Sequence, residues 1–177
     1  MQDQVVMALG ELFARQQRLE GIPLVDHDAD FASPAEQLPA RDGRVGWQPW
    51  RRPEPGSFDN IATALAMPVH PDVGAFFGHY YAGNIPACFK GLFLTLLQPW
   101  NEQDFERLQQ NQIAHQLMMR KLKFPASWFL ASCRDEQRLV TLDNGSGEVL
   151  LERLGKGRVG VLAPNLAQFL RRLEPSG

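Results

Sequence analysis

Apolar residues recur at helical spacing at both ends of the chain. Near the start, Val5, Leu9 and Leu12 are three or four residues apart, which is typical of one face of an amphipathic helix. Gly21 and Pro23 then predict the end of this first helix. Near the other end, a proline at a first-turn position precedes a second helical pattern, which predicts a closing helix folded back on a sheet: Pro164, Leu166, Phe169, Leu170 and Leu173.

The strongest helical signal predicts a central helix from about Asn101 to Leu122. Asn101 is a suitable N-cap, and Trp100 before it can pack on Phe105 as a hydrophobic staple. Acids crowd the first turn and bases the last, as the helix dipole favours. The pattern predicts an inner face and a second apolar row that contact two different elements: Phe105, Leu108, Gln112, His115, Met119 and Leu122 on the face, with Ile113 and Leu117 in the row.

Short apolar runs on both sides of the central helix predict strands. The run 92–97 is apolar enough for a buried strand, and further candidates follow at 128–133, 138–142 and 148–151. Turn-forming residues separate the last three, which predicts an antiparallel meander. The order of elements predicts an α+β fold, a single domain over 1–177 with a mainly antiparallel sheet packed with the long central helix and the terminal helices.

The stretch from Pro23 to Pro55 is rich in proline, glycine and acids, which predicts a long connection interrupted by one short strand at 45–48. Two short helices are predicted after it, at 60–66 and 71–81. A connection of this length is unusual inside a domain and suggests a functional role.

Length and composition agree with one globular domain. The chain has 177 residues, of which 44% are hydrophobic, enough for a core of its own. No run approaches the ~18 apolar residues of a membrane-spanning helix, and the first residues lack the features of a secretory signal. We therefore expect a cytoplasmic protein, in which Cys88 and Cys133 could pair but are more simply interpreted as reduced, packed thiols.

The net charge of −2 conceals a segregation along the chain. Residues 19–89 contain nine acids against four bases, whereas residues 90–177 contain nine acids against twelve bases. Charge placement determines which partners a surface attracts. Since no part of the chain has the strong basic excess of a duplex-binding protein, we expect no nucleic-acid partner.

Few residues are arranged for catalysis or metal binding. Cys88 and His79 could form a thiol and imidazole pair, as in a thiol hydrolase, but no signature of a cysteine nucleophile surrounds Cys88. No two of the four histidines have the spacing that turns both toward a metal, and His115 fits a hydrogen-bonded core histidine. We expect no enzyme activity, no cofactor and no metal site.

Two glycine-containing segments resemble ligand loops but lack their context. Residues 155–160 match the dinucleotide pattern G-x-G-x-x-G, yet Pro164 intervenes before the next helix, which favours a mobile turn between the last strand and the closing helix. Residues 143–148 lack the spaced acids and final glutamate of a calcium loop and predict a turn.

The acidic first half of the chain is interleaved with aromatic residues. Aromatic side chains supply contact area and acids steer a basic partner, so this combination suits a protein-binding surface. The alternative is that the acids only solvate a loop while the aromatics fill the core. The aromatic residues concerned are Trp47, Trp50, Phe58, Phe76, Phe77, Tyr80 and Tyr81.

Several segments between about 45 and 175 resemble the Syd family, part of the wider Smi1/Knr4 superfamily. The most specific match runs from Leu94 to Pro125, because it combines a strand, a staple, a cap and a helix in one order. Residues 21–44 match the family poorly. Further matches lie at Trp47-Gln48-Pro49, Tyr81-Ala82-Gly83, Ser146-Gly147-Glu148-Val149 and Asn165-Leu166-Ala167.

The resemblance implies a non-catalytic α+β protein that binds the cytosolic face of uncomplexed SecY through an acidic concave groove and restrains or monitors translocase assembly. It would reach the cytoplasmic side of the inner membrane only through this protein partner. Relatives in the same superfamily neutralise toxins, so an immunity-type protein against a basic toxin is the alternative. The candidates for this partner-binding groove, chosen for their charge or aromatic type within the matched region, are Trp47, Asp59, Asp72, Tyr81, Glu102 and Asp104.

Overall fold

The computed structural model describes residues 2–176. The helices of this part of the chain are α1 (Gln2–Glu20), α2 (Asp59–Leu65), α3 (Pro71–Phe77), α4 (Glu102–Lys121) and α5 (Leu166–Arg172). Its strands are β1 (Leu24–Asp26), β2 (Glu36–Arg41), β3 (Arg44–Trp47), β4 (Trp50–Arg51), β5 (Tyr80–Tyr81), β6 (Ile85–Phe89), β7 (Leu92–Leu96), β8 (Ser127–Cys133), β9 (Arg138–Asp143), β10 (Val149–Arg153), β11 (Gly157–Ala163) and β12 (Glu174–Pro175). The α+β fold predicted from the sequence is confirmed.

Seven antiparallel strands form the main sheet, in the order β11-β10-β9-β8-β7-β6-β12. The predicted meander of β8, β9 and β10 is confirmed. One face of the sheet contributes Trp128 and Leu130 to a core shared with α1, α3 and α5, and Phe89 of β6 packs on Phe169 of α5 with the ring centroids 5.0 Å apart. The closing helix therefore folds back on the sheet, as predicted.

The central helix α4 forms where its end signals predict. Asn101 caps it by accepting a hydrogen bond from the Asp104 amide at 2.8 Å, and Asp104 accepts one from the Trp100 amide at 2.8 Å. Charged residues of the expected sign occupy both ends. These local interactions explain why its boundaries were predictable.

The buried face of α4 differs from the predicted one. It consists of Phe105, Gln109, Gln112, Gln116 and Met119, whereas Leu117 and Leu122 are exposed. The glutamines are buried because they bind backbone: Gln112 donates to the Phe129 carbonyl at 2.6 Å and accepts from the Phe129 amide at 3.0 Å, and Gln116 donates to the Ser127 carbonyl. Helix α4 thus docks on β8 through amide hydrogen bonds as well as apolar contact.

The predicted long connection is partly wrong. Residues 24–47 form a second sheet in the order β1-β3-β2, so the single strand predicted at 45–48 has a partner on each side. A 3-10 turn at Ala29–Phe31 joins its parts. Strand β2 contains Pro39 and a register shift, which an edge strand tolerates but a sequence pattern does not reveal.

Two further elements depart from the predictions. The segment expected as a mobile turn at 155–160 is mostly strand β11, whose two register shifts against β10 remove the alternation that would identify it. The helix expected at 71–81 ends at Phe77, and Tyr80 and Tyr81 instead pair with Arg51 and Trp50. Strands β6 and β12 had no counterpart in the predictions.

Candidate functional site

Three of the six residues singled out from the sequence are buried: Trp47, Asp72 and Tyr81. Trp47 is only 1% exposed and packs edge-on against Phe13 of α1, with the ring centroids 6.1 Å apart. Asp72 lies in the first turn of α3. Because a partner cannot reach Trp47 or Asp72 in this fold, changing them would alter stability before it altered a contact surface.

The other three residues begin two neighbouring helices. Glu102 and Asp104 occupy the first turn of α4, and Asp59 begins α2, which packs alongside α4 from Gln109 to Arg120. The Asn60 side chain of α2 donates to Gln109 of α4 at 3.2 Å, and Gln109 in turn donates at 2.8 Å to the carbonyl of Ser57, just before α2. Residues more than forty positions apart in the sequence therefore share one surface.

The turn at 28–32 lies against the same end of α4. The Trp100 indole donates to the Phe31 carbonyl at 3.1 Å, and the Asn101 side chain donates to the Ala32 carbonyl at 2.9 Å. Part of the poorly matching segment 21–44 thereby joins the surface. The segment 52–56 reaches this region too, since Arg52 bonds Glu102 and Gly56 lies against the Phe105 ring. We call the carboxylates of these segments the acidic surface: Asp28, Asp30, Glu54, Asp59, Glu102, Asp104 and Glu106.

An aromatic stack borders the acidic surface. Trp50 is 38% exposed and stacks on Tyr81 with ring centroids 5.9 Å apart and planes 8° from parallel. The Tyr81 hydroxyl donates to Glu102 at 2.5 Å, and Arg52 bonds the same carboxylate oxygen at 3.1 Å. Burial and the bond to Glu102 raise the pKa of Tyr81 to about 12, so Tyr81 remains a donor at neutral pH. This arrangement holds Trp50 rigid at the surface.

Sequence reasoning named Trp50 among the aromatics but did not select it for the site. The sequence feature that indicates an exposed position for Trp50 is the pair of arginines that follows it, Arg51 and Arg52. Trp47, three residues earlier, has no such charged neighbours and is buried. The guanidinium of Arg52 lies 4.6 Å from the Tyr81 ring centroid and 4.9 Å from that of Phe105, so this arginine is also part of the stack.

Most of the acidic surface is not neutralised by the protein itself. Arg52 pairs with Glu102, and Arg107 pairs with Asp104 at 2.6 Å. Within residues 2–176, the other five carboxylates of this surface have no cationic partner: Asp28, Asp30, Glu54, Asp59 and Glu106. The surface is therefore available to an external cation, and the adjacent Trp50 offers an apolar contact.

A groove of about 830 Å³ runs along one flank of α4, beside β8, β9 and the residues Leu97 and Gln98 that follow β7. It begins at Asp104, but it does not have the acidic character that the family resemblance implied. Its apolar lining includes Leu108, Met118 and Phe129. The charged lining residues are Asp104, Glu136, Arg107, Arg134 and Arg138. The concentration of acids lies around the start of α4 and not in this groove.

His115 lines the groove and belongs to a buried polar chain. Its Nε2 lies 3.3 Å from the Ser127 hydroxyl, which donates to Glu152 at 2.6 Å, and Thr141 donates to the same carboxylate. Burial lowers the pKa of His115, and the smaller effect of the Glu152 charge acts in the opposite direction. Ser127 is itself buried and bonds the acid directly, so the chain holds α4 to the sheet and does not present a nucleophile to solvent.

The lowered pKa of His115 predicts a loss of stability in weak acid. The unfolded chain binds a proton near the ordinary histidine pKa of 6.5, before the folded protein does, so the free energy of unfolding falls as pH drops through and below about 6.5. His115→Gln should flatten this dependence in urea unfolding between pH 7.5 and 5.5. Since burial also lowers the pKa of His79, His79→Gln serves as the parallel variant. An identical slope in parent and His115→Gln would contradict the role assigned to His115.

The remaining candidates do not assemble into a reactive site. Cys88 lies half-buried on β6, Cys133 is buried on β8, and both thiols are free. Burial raises the pKa of Cys133, which disfavours the reactive thiolate. Among residues 2–176, no three histidine, cysteine or acidic side chains are placed to hold a metal. No helix in this same range is long and apolar enough to cross a membrane.

These features define an α+β domain whose best-developed surface is acidic, partly unpaired and bordered by an ordered aromatic stack. The family model of the Syd protein (SUKH-2) matches residues 5–175, and the chain belongs to this family. It is 50% identical to Protein Syd of Tolumonas auensis, over 99% of this chain and 92% of that one. It is 47% identical to Protein Syd of Aeromonas salmonicida, over 98% of both chains, and 38% identical to Protein Syd of Psychromonas ingrahamii, over 90% and 87%.

Proposed function

We propose that this protein binds the cytosolic face of the SecY translocation channel, in its uncomplexed form, through the acidic surface at the start of α4. The observation that carries the proposal is the group of carboxylates without cationic partners beside the exposed Trp50. Cytosolic loops of membrane proteins carry an excess of Lys and Arg, so their charge is complementary to this surface.

The two parts of the surface have different roles in the proposed complex. Exposed charges act over a screening length of ~10 Å at 0.1 M salt, so the carboxylates mainly accelerate association. Trp50 is held by its stack on Tyr81 and by the neighbouring Arg52, so it contributes contact area without a large ordering cost. The proposed binding involves no chemical step.

The proposed binding would make the protein a regulator of translocase assembly at the membrane. Occupation of the cytosolic loops of uncomplexed SecY would restrain or monitor the addition of other translocase components. The protein would work from the cytoplasm and reach the inner membrane chiefly through this partner. The acidic surface supports the contact, and the family membership supports the choice of partner.

Binding to SecY in detergent is expected to weaken as salt rises from 50 to 500 mM. Asp59→Lys with Glu106→Lys should slow association by roughly tenfold or more, because both carboxylates are exposed and unpaired. Glu136→Lys with Glu174→Lys makes the same change of charge at two exposed acids outside the acidic surface, and should leave association nearly unchanged. Trp50→Ala should instead speed dissociation by roughly tenfold. Affinity that is insensitive to salt, or equal loss in both double variants, would refute this surface.

An acidic surface of this kind would also suit a basic toxin, the alternative considered from the sequence. A pull-down with the native protein from detergent-solubilised membranes and, separately, from the soluble fraction distinguishes the two. We expect SecY among the proteins retained from the membrane fraction and lost with Asp59→Lys and Glu106→Lys. Retention of a soluble basic toxin in place of SecY would assign the same surface to immunity.

A further inference from the structure

The end of α4 lies against the turn between β10 and β11. Phe124, which follows the helix, packs over Gly157, so that a Cβ on this glycine would lie 3.3 Å from the Phe124 ring. Gly157 has a φ of +84° and pairs with Arg153 across the turn. The two segments 121–124 and 153–157 therefore form one continuous surface at the C-terminal end of α4.

This surface carries four exposed cations, which we call the basic patch: Lys121, Lys123, Arg153 and Lys156. Within residues 2–176 none of the four has a carboxylate partner. The helix dipole accounts for Lys121, in the last turn of α4, but not for Arg153 or Lys156, which belong to a hairpin.

Neighbouring charges do not cancel the basic patch. Arg138 and Arg158, on the adjoining strands, are paired with Asp135 and Asp143. Two nearby acids have no cationic partner in the described chain: Glu136, at the turn between β8 and β9, and Glu152, which is buried and accepts bonds from the Ser127 and Thr141 hydroxyls. Four unpaired cations thus face one exposed and one buried acid, and the patch keeps a positive excess.

Two exposed leucines stand among these cations. Leu122 is 39% exposed and Leu154 is 48% exposed. Leu154 lines the groove together with Met118, and Leu122 lies one helical turn beyond Met118, so both leucines flank the same end of the groove. Cations that surround exposed aliphatic side chains are typical of surfaces that rest on anionic lipid, with the charges at the headgroups and the leucines at the acyl boundary.

We propose that the basic patch is a docking surface for anionic phospholipid headgroups. Nucleic-acid phosphates would bind the cations but would make no apolar contact with the two leucines, whereas a lipid surface contacts both. The combination therefore favours lipid. The patch and the acidic surface lie at opposite ends of α4, whose 20 residues span about 30 Å. The inference stands independently of the proposed partner. It departs from the expectation that the protein reaches membranes only through a protein, since it adds a direct lipid contact.

Vesicles without protein test the proposal. The parent chain should co-sediment with phosphatidylcholine vesicles that contain about 30% phosphatidylglycerol, and much less with pure phosphatidylcholine. Each cation near an anionic surface is worth about a fivefold change in partition, so replacing all four patch residues by Gln should reduce binding by roughly 600-fold. The control variant replaces four other exposed cations by Gln: Arg18, Arg41, Lys90 and Arg172. Its net charge changes by the same amount, and it should retain most of the binding.

The leucines are tested separately. Leu122→Ser with Leu154→Ser should weaken binding to the phosphatidylglycerol vesicles severalfold while the salt dependence is kept. Equal losses in the patch and control variants would show attraction by net charge only and overturn the proposal. So would absence of binding by the parent, or equal binding to both kinds of vesicle. Tighter binding of the parent to a 20-base-pair duplex than to the vesicles would assign the patch to nucleic acid and also overturn it.

Discussion

Trp47→Ala is expected to destabilise the protein by about 3–5 kcal/mol, a large part of a total of about 5–15 kcal/mol. The indole fills the space between α1 and the second sheet, where it meets Phe13. It also lies so close to Gly83 that a Cβ on this residue would be 2.6 Å from the indole ring. Removing the side chain leaves a cavity among residues that cannot easily collapse into it.

Urea unfolding of Trp47→Ala and Trp50→Ala measures the difference between a buried and an exposed tryptophan three residues apart. Trp50→Ala should change the free energy of unfolding far less, because its ring is partly in solvent. Gly83→Ala should destabilise through the same contact as Trp47→Ala, without removing an aromatic. A Trp47→Ala protein of parental stability that dissociated faster from SecY would show that Trp47 is a contact residue after all.

Ile113→Pro is expected to abolish stable folding, because it affects the middle of α4. Proline at this position removes a helical hydrogen bond and clashes with the preceding turn, which costs about 3 kcal/mol or more. The kink would also misplace Gln112, whose two hydrogen bonds to Phe129 tie the helix to β8. Leaving both backbone groups of Phe129 unpaired in the interior adds about 1–3 kcal/mol for each.

Gln103→Pro provides the matched control for Ile113→Pro. Gln103 lies in the first turn of α4, where the amide has no carbonyl partner within the helix, so proline there should be tolerated. Circular dichroism and urea titration of the two variants compare the same substitution in one helix. A melting temperature of Ile113→Pro equal to that of Gln103→Pro would contradict the central role of α4.

The two charged ends of α4 have one origin in the sequence. Acids in the first turn and bases in the last turn stabilise α4 through its dipole. Other segments of the fold then add residues of the same sign beside each end, so that each end becomes part of a larger charged surface. Asp30 and Asp59 join the acids, whereas Arg153 and Lys156 join the bases. The net charge of −2 therefore reflects two regions of opposite sign and not a uniform distribution.

The sequence by itself determined the elements that local interactions specify. Helices α1 and α4 have apolar periodicity, and α4 also has a cap and charges that complement its dipole, so their extents were predictable. The meander of β8, β9 and β10 follows from apolar runs separated by turns. The segregation of acids toward the first half of the chain was likewise evident in the sequence alone.

Only the tertiary structure decided which side chains are buried and which segments become neighbours. Gln112 is polar, yet it is buried because it bonds the amide and carbonyl of Phe129, in the part of β8 that lies beyond the pairing with β7. Strands β2 and β11 pair with their neighbours through register shifts. These shifts interrupt the alternation of apolar and polar residues by which a strand is recognised in a sequence. Trp47 and Trp50 have the same side chain, but the packing of α1 buries one and leaves the other at the surface, because burial is a property of distant contacts and not of residue type.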